Sequence, residues 1–149
     1  MVVERGFIDP QGEKRDGQNV GESFSATLAK HRLDLRRGRT AILQVNVGLR
    51  CNQSCRHCHL EAGPDRTEMM SSETFEEVVA YARRGTFEVI DITGGAPELH
   101  PQISAMIARL APLASRLLLR CNLTALAQEK REDLIEVCRA HRAVMIGSF

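Results

Sequence analysis

Residues 51–59 read CNQSCRHCH, which places Cys51, Cys55 and Cys58 with His57 and His59 inside nine positions of a chain that owns only five cysteines. Three thiolates so close together are a ligand set for a soft metal centre. A 4Fe–4S cube needs four ligands, and these cysteines supply three. One iron is then left open, and an open position is what separates a catalytic metal site from a closed structural one. Two other chemistries use the same residues. CRHCH (55–59) fits the C-x-x-C-H attachment of a c-type haem, with thioethers at Cys55 and Cys58 and His59 as axial ligand. That reading leaves Cys51 idle and asks for an export signal. Cys51, Cys55, Cys58 and His59 also have the ligand types of a zinc site, although structural zinc sites usually combine two separated ligand pairs.

These side chains need elements to hold them. AILQVNV (41–47) is a β-rich run that ends at the Gly48 turn, and the cysteines follow directly. They are therefore expected on a loop that wraps a metal centre rather than on a straight helix. In SSETFEEVVAYARRG, Phe75, Val78, Val79 and Ala82 fall at i, i+3, i+4 and i+7, Ser71 or Ser72 can cap the start, and Gly85 can end the helix. FEVIDIT (87–93) is a second strand, followed by GGAPELHP and a helix with Pro101 near its first turn, on which Ile103, Met106, Ile107 and Leu110 repeat the helical spacing. RLLLRCN (116–122) is a third strand, EKREDLIEVCRAH a third helix with Leu134, Val137, Cys138 and His141 on one stripe, and AVMIGSF (143–149) begins a fourth strand. Strands alternating with helices through short turns imply right-handed βαβ units, a parallel sheet and an α/β class. Ligands in such folds gather beyond the carboxyl ends of the strands. The cysteine run, the Gly-Gly stretch and CNLT (121–124) each follow a strand at that edge, so three loops converge on one site. Cys138 reads as core. Cys121 is balanced between packing and contact with a ligand, and Asp91 between the interior and a structural hydrogen bond. His31, His100 and His141 read as solvated or capping.

Composition bounds the rest. An apolar content of 43% and a formal charge of +1 suit one core and no strong electrostatic signature. With five Phe, one Tyr and no Trp there is neither a basic face nor a stacking platform for nucleic acid. The N-terminus lacks the apolar run of a secretory signal, and nothing approaches the roughly 18 consecutive apolar residues of a membrane span, so a soluble cytoplasmic protein with no membrane partner is expected. In that reducing compartment an odd cysteine count argues for metal binding or catalysis rather than disulfides. Residues 1–40, rich in Gly, Asp, Gln and Arg, read as an N-terminal extension with one short helix around ESFSATLAKHRL and a partly disordered start.

Cys51, Cys55 and Cys58 resemble the CxxxCxxC signature of radical S-adenosylmethionine enzymes. The resemblance implies a 4Fe–4S cluster whose open iron chelates the amino and carboxylate groups of S-adenosylmethionine, which is cleaved to methionine and a 5'-deoxyadenosyl radical. It implies cofactor-binding roles for His57, where relatives usually carry an aromatic packed near adenine, and for Gly94 and Gly95, the glycine-rich motif after the second strand. Glu98 would be the counterpart of the acid in that motif, displaced by Ala96 and Pro97. Asn122 and Thr124 stand where several relatives have a Thr-Asn segment, and Cys121 departs from the expected threonine. No catalytic side chain is assigned. More narrowly, LQVNVGLRCNQSCRHCHLEAGPDRTEMM, DITGGAPELHP and RCNLTAL resemble the arsenosugar-biosynthesis proteins of that superfamily. This implies a small-molecule substrate, a dimethylated arsenical to be adenosylated, and an electron donor such as flavodoxin or ferredoxin. The resemblance covers 41–149 and implies the N-terminal half of a partial (β/α)6 TIM-like barrel, truncated at strand four, with a missing C-terminal half as a further partner. A whole (β/α)8 barrel takes about 250 residues. The alternative is a non-catalytic metal-binding module in which the three cysteines, with or without one histidine, hold zinc or a passive iron–sulfur cluster.

Overall fold

Residues 22–147 are described by the computed structural model. Residues 1–21, including the expected disordered start, and Ser148 and Phe149 of the expected fourth strand lie outside them. Contacts divide the chain into two units, one ending at Gly38 and one beginning at Arg39. The first contains helix α1 (Phe24–Lys30), whose start is capped by the Ser23 hydroxyl accepting from Ala26 N at 3.2 Å. None of the residues of α1 is buried.

The second unit alternates as the sequence predicts: β1 (Ile42–Asn46), α2 (Ser72–Arg84), β2 (Phe87–Thr93), α3 (Ile103–Leu110), β3 (Ala114–Cys121), α4 (Thr124–Gln128), α5 (Glu132–Ala140) and β4 (Val144–Gly147). The four strands form one parallel sheet in the order β1-β2-β3-β4, which is the arrangement of the first half of a (β/α) barrel. In register, Gln44 lies beside Asp91, Ile90 beside Leu117 and Leu118 beside Val144. α2 starts where Ser71 Oγ accepts from Thr74 N at 3.2 Å and ends at Gly85. It buries Phe75, Val79 and Ala82, and leaves Val78 only partly covered. α3 buries Ile103, Met106, Ile107 and Leu110 as expected, with Pro101 standing just before its first turn.

Because side chains alternate across a strand, the sheet has two unlike faces. Val45, Ile90, Ile92, Leu117 and Leu119 face α2, α3 and α5 in a single core with Leu134 and Cys138. The intervening positions on the opposite face include Gln44, Asn46, Asp91, Thr93 and Arg120, a polar set. Strand-end geometry brings this second face and the loops above it to one place.

The differences from expectation are local. β3 begins at Ala114 rather than 116, because pairing of Phe87 with Ala114 extends the ladder backward. α5 begins at Glu132 rather than at Glu129, since α4 and its turn occupy the preceding residues. His141 is the exposed C-cap of α5, in keeping with its capping reading and not with a place on the apolar stripe. His100 is not solvated: it is 3% exposed, its Nδ1 accepts from Gln102 N at 3.1 Å, and its Nε2 lies 3.0 Å from Met70 O. Since Nδ1 accepts, Nε2 carries the proton and donates to Met70. This ties the loop before α2 to the loop before α3. Among the described residues no helix is long and apolar enough to cross a membrane.

Candidate metal and cofactor site

The cysteine loop leaves β1 through a forced turn. Gly48 has φ +140°, a conformation that side chains rarely adopt, and a Cβ there would stand 2.3 Å from Glu68 O. Asn46 Oδ1 accepts from Gly48 N at 2.9 Å and steers the turn. The loop is then closed at its base by Met70 N to Val47 O and Leu49 N to Glu68 O, both 2.9 Å, and by Cys51 N to Gly63 O at 3.1 Å. Cys51 is held at this closed base and is buried. Cys55, farther out, is exposed, and Cys58 is half-buried. As expected, the segment is a loop: Cys58 N turns back to Cys55 O at 3.0 Å and Glu61 N to Cys58 O at 3.1 Å.

Gly94 and Gly95 press directly on this loop. Gly95 N donates to Gly48 O at 3.0 Å and Ala96 N to Arg50 O at 2.9 Å, so the two strand-end loops are joined backbone to backbone. A Cβ on Gly95 would meet Arg50 O at 2.5 Å and Leu49 O at 2.8 Å, and one on Gly94 would meet Gly48 O at 2.9 Å. The glycines therefore have a role that the motif alone does not disclose. They let the second loop seat the first.

Cys51, Cys55, Cys58, His57, Gly94, Gly95 and Asn122 all line one cavity of about 460 Å³ at the carboxyl edge of the sheet. Gln44, Asn46 and Arg120 supply its polar floor, and Leu60, Ala62 and Ile146 apolar parts of its wall. Three thiols around a cavity of this size, beside a glycine wall and polar donors, fit a 4Fe–4S cluster with a small organic ligand. Among the described residues no three His, Cys, Asp or Glu side chains are already drawn to one ligating point, so the sulfurs share the cavity without converging.

Two sequence candidates lie outside that wall. Glu98 is fully buried in the short 3-10 turn Pro97–Leu99. Its Oε1 accepts from Cys121 Sγ at 3.1 Å and Asn122 N at 3.0 Å, while Oε2 has no hydrogen-bond partner among the described residues. It acts from behind, fixing the end of β3. Arg131 Nη1 braces the same turn through Glu98 O at 2.7 Å. Thr124 is exposed and reaches the cysteine loop through Asn52, whose Nδ2 donates to Thr124 Oγ1 at 3.1 Å. Cys121 is 2% exposed, and burial, with the Glu98 carboxyl beside it, pushes its thiol up to about 12. It is a neutral thiol at physiological pH.

The polar floor escaped the sequence. Arg120 donates through Nε and Nη2 to the Asp91 carboxylate at 2.8–3.1 Å, and Gln44 Nε2 adds a bond to Asp91 Oδ2 at 3.3 Å. Asp91 is buried and Arg120 half exposed, so the guanidinium is displayed at the cavity on a fixed carboxylate, which also raises the Arg120 pKa. The alternation of β2 places Asp91 on this face, but its partners come from two other strands.

The sequence pattern of the Radical SAM superfamily matches residues 45–147. Among curated proteins, the chain is 33% identical over 84 residues to a probable GTP 3',8-cyclase of Pyrococcus horikoshii, covering 56% of this chain and 27% of that protein. It is 37% identical over 71 residues to the GTP 3',8-cyclase of Heliobacterium modesticaldum, 46% of this chain and 22% of that one. It is 39% identical over 54 residues to the putative peptide biosynthesis protein YydG of Bacillus subtilis, 36% and 17% respectively. The match thus spans about a quarter or less of these relatives.

Proposed function

The chain belongs to the Radical SAM superfamily, enzymes that use a 4Fe–4S cluster and S-adenosylmethionine, and we propose that Cys51, Cys55 and Cys58 are its three cluster ligands. The observation that supports this is their common cavity, at the strand edge where a parallel sheet delivers ligands. A cluster held by these three cysteines would supply the electron that cleaves S-adenosylmethionine. The protein contributes position and shelter. Gly94 and Gly95 hold the cysteine loop against β2 and keep that wall thin enough for a ligand to approach backbone atoms. His57 lines the same cavity as Cys58 and would meet the nucleoside part of S-adenosylmethionine. Asn122 faces the cavity next to Cys51, while Glu98 and Thr124 are positioning residues for Cys121, Asn122 and Asn52. Arg120 and Gln44, presented from the floor, meet the polar part of a small-molecule substrate.

For the substrate we propose a dimethylated trivalent arsenical, adenosylated to a precursor of arsenosugars. The three long segments that resemble that group carry this finer reading. A one-electron donor such as flavodoxin or ferredoxin, and the remaining strands of a (β/α)6 barrel, complete the proposal.

The test is anaerobic reconstitution with iron and sulfide, reduction by dithionite, and a search for 5'-deoxyadenosine and, with a dimethylated arsenical added, its arsenic adduct. Cys51→Ala, Cys55→Ala and Cys58→Ala should each lose the cluster, measured as iron and sulfide per chain. Cys138→Ala, in the core behind the sheet, should keep it. Equal loss in both sets would refute the ligand assignment. No turnover of S-adenosylmethionine by fully loaded protein that includes the remaining strands would refute the activity, and one zinc per chain without sulfide would favour the passive module.

A further inference from the structure

The side chain of Asn122 stands between α4 and the first cysteine, and its orientation is not free. Its Oδ1 accepts from Ala125 N at 2.9 Å and from Thr124 Oγ1 at 3.2 Å. A carboxamide has one oxygen and one nitrogen, so these bonds turn Nδ2 the other way. There it lies 3.4 Å from Cys51 Sγ and 2.7 Å from Asn52 Oδ1. Asn52 is fixed by the same logic, since its Nδ2 donates to Thr124 Oγ1 at 3.1 Å and Gln128 Oε1 at 2.6 Å, which leaves Oδ1 for Asn122. The Thr124 hydroxyl donates to one asparagine and accepts from the other. No alternative flip of either amide satisfies the set. Among the described residues, no other side-chain N–H reaches a sulfur of the three cysteines, and Cys51 is only 7% exposed, so little water competes for this contact.

Resting on the reading of Cys51 as a cluster ligand, we propose that Asn122 sets the reduction potential of the cluster by donating Nδ2–H to the Cys51 sulfur. Hydrogen bonds to ligand sulfurs and solvent exposure are among the levers that tune such potentials. The donor draws negative charge from the sulfur, and the reduced cluster, which carries one more electron, gains more from it than the oxidised one. The midpoint therefore rises, and reduction is easier for the electron donor. Asn52, Thr124 and Gln128 act through Asn122 as its positioning residues.

An electron paramagnetic resonance titration of the reconstituted protein with dithionite reads this directly, without turnover. Asn122→Ala should move the midpoint to a more negative potential with iron and sulfide per chain unchanged. Asn122→Asp keeps an oxygen for Ala125 N but loses the donor, and should move it at least as far in the same direction. Gln128→Ala, which leaves the Asn122 amide and its Oδ1 partners in place, should shift it less than either. A midpoint unchanged or more positive in the loaded Asn122 variants overturns the proposal. So does failure of both variants to load a cluster that the wild-type protein accepts, which would make the role structural. Wild-type protein that takes up no cluster refutes instead the ligand assignment on which this inference rests.

Discussion

At the scale of single residues, two buried groups behave in ways their types do not announce. The Cys121 thiol, raised to about 12 from an ordinary 9.0 chiefly by burial, stays protonated where an exposed thiol ionises. Its folded-state pKa lies above its unfolded one. The stabilisation it gives is therefore full below about pH 9 and is lost as pH rises toward 12. Mass-resolved alkylation at about pH 8.5 should label exposed Cys55 first and leave Cys121 and Cys138, both buried with raised pKa, among the last. Rapid labelling of Cys121 would show that its pocket is open. Asp91 makes the other case. Arg120→Met would leave its buried carboxylate with Gln44 alone and should cost about 1–3 kcal/mol, read as a lowered denaturation midpoint. Asp91→Asn should cost less, because the stranded guanidinium is half in water. The reverse order would mean that the pair is not the main support of this floor.

At the scale of elements, the joint between the loop after β1 and the loop after β2 is the part with least slack. Gly95→Ala places a methyl 2.5 Å from a carbonyl oxygen in a backbone that is itself hydrogen-bonded, so overpacking of about 1–3 kcal/mol is expected. Thermal melting of the metal-free protein measures the cost. Cluster content should fall as well, since the strain bears on the residue before Cys51. The helices α2 and α3 are legible in the sequence because Phe75, Val79 and Ala82, and Ile103, Met106, Ile107 and Leu110, recur at 3.6-residue spacing. So are the strands and the cysteine loop, each bounded by glycine or a polar cap. α4 is not legible. It is five residues long, follows Leu123 at φ +51°, and is started by Asn122 Oδ1 accepting from Ala125 N, none of which leaves an apolar period. The place of Glu98 in its motif implies a side chain that faces the cofactor. Two inserted residues instead carry it into a 3-10 turn that points it at the end of β3. Gly94 and Gly95 stand at the strand end where the motif puts them, but their contact with Leu49 and Arg50 depends on how far the first loop folds back, which spacing does not encode.

At the scale of the whole molecule, β1 and β4 are the outer strands of the sheet among the described residues, and Ile42 and Val144 on them are 58% and 47% exposed. Exposed apolar side chains on the outer described strands invite pairing, with another chain or with the further strands proposed above. Light scattering of the protein should rise with concentration, and the double variant Ile42→Lys, Val144→Lys should suppress that rise while leaving the melting temperature nearly unchanged. A lowered melting temperature with no change in scattering would place the association elsewhere. The same sheet divides its labour between its faces. Val45, Ile90, Ile92, Leu117 and Leu119 make it cohere with the helices, whereas Gln44, Asn46 and Arg120 look into the cavity and contribute little to that cohesion. Outside the Asp91, Arg120 and Gln44 network, a change on the cavity side alters what the site can grip while the aliphatic layer that seats the helices stays untouched.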